Sequence, residues 1–128
     1  MAEVYCFNLP EDMRGRIAAL CARYRIRMVE VGPEKHRLTI RELTAGFPGK
    51  NTEKAFEESL LLMDHLDQYQ FNGFLDDLKK CTPPFQCLKA IVTGSNRKWT
   101  AEQLIEELKA EKAAFEQRRA QAQAKTES

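Results

Sequence analysis

The feature that most constrains this chain is a strand–helix–strand pattern completed within its first 32 residues. The run EVYCFNL (3–9) is apolar, contains aromatic and β-branched members, and closes at Pro10. Such a run predicts a strand buried on both faces. Met13, Ile17, Leu20, Cys21 and Tyr24 then recur every three or four residues. That spacing marks one apolar stripe of a helix over 11–24, with Pro10 accommodated in its first turn and Glu11 and Asp12 near its positive end. IRMVEVG (26–32) supplies a second strand that ends at Gly32-Pro33. Two strands joined through a helix in this way run parallel, and their crossover is right-handed.

The pattern returns later. SLLLMDHL (59–66) has strand length, and Phe71, Phe74, Leu75 and Leu78 mark a helix over 68–80. TPPF (82–85) ends that helix, because paired prolines remove donors and disfavour helical backbone upstream. QCLKAIVT (86–93) reads as the last strand, and Leu104, Ile105, Leu108 and Phe115 share one face of a final helix that begins after Trp99. The middle segment, 33–58, has no clean period. It predicts a short helix near 39–45 stopped by Gly46, a loop through Pro48 to Asn51, and His36 exposed in a loop. No repeat of fixed period is visible; the halves share a plan rather than a sequence.

Two such units predict one small α/β domain over 1–115, with a four-stranded, mostly parallel sheet of an order such as 2-1-3-4 and helices on both faces. The near-continuous hydrophobicity of strands 1, 3 and 4 predicts central burial, and the mixed IRMVEVG suits an edge. Residues 116–128 form a polar tail, either a helical extension or disordered. With 128 residues, 43% of them hydrophobic, such a domain has material for a core without staples.

Charge excludes some roles. The chain has 20 Lys+Arg against 19 Asp+Glu, a net charge of +1, which disfavours a generic nucleic-acid binder. The arginines at 14, 16, 23, 25 and 27 lack the interleaved aromatics of a stacking platform. No apolar run approaches the ~20 residues of a membrane span. MAEVYCFNLPEDMRGR lacks the basic-then-apolar order of a leader, so a cytoplasmic location with Cys6, Cys21, Cys81 and Cys87 reduced is the expectation. The cysteine spacing matches no zinc signature, and neither GxGxxG nor GxxxxGK[ST] occurs, so no metal or cofactor is expected.

KAIVTGSNRKWTAEQLIEELKAE (89–111) holds the candidate site. Thr100 and Gln103 have capping-box spacing, with Trp99 and Leu104 placed as a hydrophobic staple. If all four strands are parallel, ligands belong beyond their carboxyl ends. That rim would collect Asn8, Asp64, His65, Thr93, Ser95 and Asn96, with Arg97 and Lys98 beside them. Small donors and two cations at a helix start suit a small anion. Gly94, Ser95 and Asn96 are equally turn formers. His65, near Asp64 and Asp67, is the candidate general base, though a polar strand end also explains it. Cys87 would lie at the opposite end of the sheet from His65, which argues against a thiol–imidazole pair.

LKAIVTGSNRKWTAEQLIEELKAEK resembles the C-terminal signature of a family of short bacterial proteins with a domain of unknown function. Lys89, Ala90, Thr93, Asn96, Trp99, Thr100, Leu104, Leu108 and Glu111 carry the resemblance, and LLLMDHLDQYQFNGFLDDLKK extends it over 59–112. Asp64-His65 stands where that family suggests a smaller turn. The resemblance implies a fold and brings no activity, cofactor or catalytic residue. The expected role is a non-enzymatic module that binds a partner protein or small anion at the sheet edge, with a homodimer contact as one use of an apolar patch. The alternatives are a small enzyme using His65 and, behind it, a nucleic-acid accessory.

Overall fold

The computed structural model describes residues 1–50, 53–81 and 87–126, with side chains of the last helix through Arg118. The Thr82–Phe85 stop signal lies outside the described residues. The elements run β1 (Glu3–Phe7), α1 (Glu11–Arg23), β2 (Arg27–Val31), a 3-10 turn (Pro33–Lys35), α2 (Ile40–Thr44), β3 (Leu60–Asp64), α3 (Gln68–Lys80), β4 (Leu88–Ile91) and α4 (Ala101–Thr126). The expected architecture holds: one four-stranded sheet in the order β2-β1-β3-β4. β1 pairs with β2 in parallel and β3 with β4 in parallel.

The central pairing departs from the all-parallel expectation. β1 and β3 are antiparallel, with Glu3 opposite Asp64, Tyr5 opposite Leu62 and Phe7 opposite Leu60. This reversal decides where the helices go. Each unit's crossover is right-handed by rule. When two such units join antiparallel through their first strands, both crossover helices fall on the same face; an all-parallel sheet of this order would put them on opposite faces. The cores show that arrangement. Val4, Cys6, Leu61 and Met63 pack under Ile17 and Cys21 of α1 and Phe74 and Leu78 of α3. Tyr5, Phe7, Leu60 and Leu62 face the other way, against Ile40 and Leu43 of α2 and Ala101, Leu104 and Ile105 of α4.

Side-by-side packing of α1 and α3 has its own fittings. Tyr24 donates to Asp77 at 2.7 Å, and Arg23 reaches the same carboxylate at 3.2 Å. A Cβ built on Gly73 would stand 2.4 Å from the Tyr24 ring, so this close approach needs glycine.

The halves repeat one plan. β1 and β3 have 5 residues each, and α1 and α3 have 13 each. Asn8 and His65 follow the two central strands, and both have left-handed backbone, with φ of 53° and 60°. That conformation is rare outside glycine but enriched in Asn and His, and here it turns each strand into its helix. α2 and α4 both open on capping boxes, Thr39–Glu42 and Thr100–Gln103. Thr39 and Thr100 meet across an isolated antiparallel bridge. The repeat is invisible as sequence because the residues at matching places differ while the backbone requirements agree.

Two further expectations are corrected. β4 is an edge strand rather than a central one, and Ile91 is 46% exposed. His36 is fully buried, its ring stacked on Phe56 at 4.4 Å. The short middle helix and its Gly46 stop are present, with Gly46 at φ 81°. The tail continues α4 as helix to Thr126.

Candidate functional site

The antiparallel centre divides the expected rim in two. One rim holds the carboxyl ends of β3 and β4, with His65, Thr93, Ser95 and Asn96, beside the amino ends of β1 and β2, with Glu3 and Arg27. Asn8 lies at the opposite rim. Its amide donates to the carbonyls of Phe56 (2.8 Å) and Glu58 (3.1 Å), and Ser59 donates to its carbonyl at 2.7 Å. These bonds hold the segment that leads into β3.

Asn96 is 7% exposed and closes the turn after β4. Its Oδ1 accepts from the Thr93 N–H (2.9 Å), its own N–H donates to the Thr93 hydroxyl (3.2 Å), and its Nδ2 donates to the Ile91 carbonyl (2.9 Å). The carbonyls of Arg97 and Trp99 accept from the Arg41 and Ile40 N–H groups, both at 2.8 Å, which docks this turn on the start of α2. Ser95, Arg97 and Lys98 are exposed. Asn96 and Thr93 thus spend polar groups within the turn, and Thr93, Ser95 and Asn96 together border a groove.

That groove, about 450 Å³, runs along β4. Met63, Phe71 and Ile91 line it on the α3 face and Ala90, Trp99, Leu104 and Leu108 on the α4 face, so it wraps the edge of β4. Lys89, Glu107 and Glu111 provide its charge. Alternation explains the wrapping, because Ala90 beside Leu62 and Ile91 beside Met63 point to opposite faces. The amides of Leu88 and Val92 donate to Ser59 and Met63 of the neighbouring strand, so Lys89 and Ile91 turn their backbone groups outward. The Asn96 amide then covers the Ile91 carbonyl, which blunts the edge against strand addition.

A second cavity, about 520 Å³, sits at the other rim between Asn8, Arg14, Glu30, Gly32, Lys54 and Glu57. Its charges are paired with one another, Arg14 with Glu30 at 2.5 Å and Lys54 with Glu57 at 3.7 Å. The β4 groove is therefore the better candidate: it is apolar and converges from two faces.

His65 contacts Asp64 through Nδ1 at 3.0 Å, and its side chain is 60% exposed. Asp64 is buried, with Glu3 across the strand pair and Arg27 3.5 Å from Glu3. Burial and this acidic surround push the Tyr5 phenol up to about 12. Burial also raises the thiols of Cys6, Cys21 and Cys87, with Cys21 at about 11. Thiols so placed are small apolar packing groups. Among the described residues, no group of three or more His, Cys, Asp or Glu could hold a metal ion, and no helix is long and apolar enough to cross a membrane.

The turn is legible in the sequence, and the groove beside it is signalled only indirectly. A usable signal was present: β4 is as apolar as a central strand, yet any order with β4 last gives it one neighbour.

Residues 59–115 match a family described as a domain of unknown function, DUF3783. The match spans the second of the two repeated units and overlaps the stretch whose sequence resembles a family of unknown function. No curated protein and no solved structure matches the chain.

Proposed function

We propose that this chain is a non-enzymatic interaction module whose docking site is the β4 groove. The observation that carries the reading is Ile91, a large aliphatic side chain 46% exposed on an edge strand, lining an apolar groove that wraps this edge between α3 and α4. Exposed apolar surface organised this way marks interaction sites. The covered Ile91 carbonyl favours a partner that inserts side chains over one that adds a strand. Turn formation accounts for Thr93 and Asn96, and Arg97 and Lys98 are exposed outside the groove lining, which weakens the case for an anion site there.

An apolar fragment screen followed by amide NMR tests this. Responses should cluster on 89–92, Phe71 and Leu108, and Ile91→Glu should remove them. Hits scattered over the surface, or unchanged in Ile91→Glu, would overturn the reading.

One observation favours an enzyme, the 3.0 Å contact from Asp64 to His65. A carboxylate that orients an imidazole is a component of general-base sites. The exposed ring and its backbone role in the strand-to-helix turn weigh against it. Loss of a turnover signal in His65→Gln, with fold intact, would reinstate it.

A further inference from the structure

We infer that the occupant of the β4 groove is a second copy of this chain, contributed through α4. The inference rests on the docking reading above. α4 meets the core through Ala101, Leu104 and Ile105, with Leu108 packed against them, yet it runs on to Thr126. Phe115 stands seven residues beyond Leu108, two helical turns on and on the same face. It is 64% exposed. The helix thus carries both half a groove wall and an unburied aromatic on one stripe.

The charges on this helix are self-complementary. Glu107 and Glu111, one turn apart, line the groove. Lys112 and Arg118 follow toward the C-terminus around Glu116, a stretch of net positive charge, while Lys109 within the acidic wall is paired with Glu58; these six α4 side chains are all exposed. Antiparallel pairing of two α4 helices along the β4 side sets the acidic wall of each copy against the basic stretch of the other. It also carries each Phe115 to the Leu108 end of the other's groove. Such a contact is isologous and closes on itself at two copies. The covered Ile91 carbonyl agrees with a helical occupant, because it removes one acceptor from the row an added strand would use.

Sedimentation equilibrium of the full chain tests this with four samples. The wild type should have the mass of a dimer. Glu107→Lys/Glu111→Lys and Lys112→Glu/Arg118→Glu should each have half that mass, since each variant turns the opposite-charge contacts of these four residues into like-charge ones. An equimolar mixture of the two should regain the dimer, because opposite charges then face each other at both ends. Phe115→Ser should also halve the mass, and exposed positions leave the circular dichroism of all variants unchanged. A wild type monomeric at about 1 mM, the weak limit of useful affinity, or charge variants that remain dimeric, would overturn the second-copy occupant. If the chain is monomeric while apolar fragments still titrate the Ile91 groove, this inference fails and the docking reading stands; if fragments also fail, both fall.

Discussion

His36 shows how much one side chain can hold. Its ring is fully buried between Phe56 and Phe7. Nδ1 accepts the Ala55 N–H at 3.2 Å, so the neutral ring carries its proton on Nε2, which is buried and has no hydrogen-bond partner among the described residues. A second proton would have to enter at Nδ1, facing the Ala55 N–H. Burial chiefly, with the Lys54 and Arg37 charges outweighing the pull of Glu34 and Glu57, lowers its pKa below the ordinary 6.5. The unfolded chain therefore binds this proton at a higher pH than the folded one. Stability is full above about pH 6.5 and falls as pH drops below it, by at most about 1.4 kcal/mol per pH unit for one proton. Urea titrations from pH 7 to 5 should show that slope. His36→Phe should flatten it in this window, which lies above the acid range of the lowered carboxyls Glu42 and Glu58. An unchanged slope in the variant would place the acid sensitivity elsewhere. Nothing in the loop-like PEKHR stretch marks this burial, because Phe56, which stacks on the ring, lies twenty residues away.

At the scale of elements, the two threonine caps do matching work. Thr39 accepts from the Glu42 N–H and Thr100 from the Gln103 N–H, both at 3.2 Å. Each cap→Ala change should cost about 1 kcal/mol, read as a shift of denaturation midpoint with unchanged slope. Because the caps adjoin the Thr39–Thr100 bridge, the double variant should depart from the sum of the singles; strict additivity would mean the bridge transmits nothing. Periodicity made α1, α3 and α4 legible, and the T-x-x-Q spacing made one cap legible. The T-x-x-E spacing at 39–42 carried the same information for α2, within a segment too short to show a period. Strand hydrophobicity was a poorer guide. It distinguished β2 from the others but could not separate β4, apolar at an edge, from β1 and β3, which lie between neighbours.

For the whole molecule, strand direction at the centre governs everything else. Apolar runs look the same read either way along a sheet, so the β1–β3 reversal left no trace in the residues, and with it went the single rim expected to unite Asn8 with Asn96. The sheet order itself was legible, since two strand–helix–strand units side by side admit few arrangements. The β1–β3 ladder is also symmetrical, with Glu3 opposite Asp64 at one end and Phe7 opposite Leu60 at the other. A fragment of residues 59–128 retains β3 but loses the strand that covers its inner edge. It should associate through that edge, sedimenting above monomer mass, and separate when Leu62→Pro removes a ladder donor. A monomeric, folded fragment would show that the second unit does not need the first. The outer edge poses the contrary case. By closing the Ile91 carbonyl, the Asn96 amide shortens the template on which fibrils grow, which favours small, finite gatherings at this border.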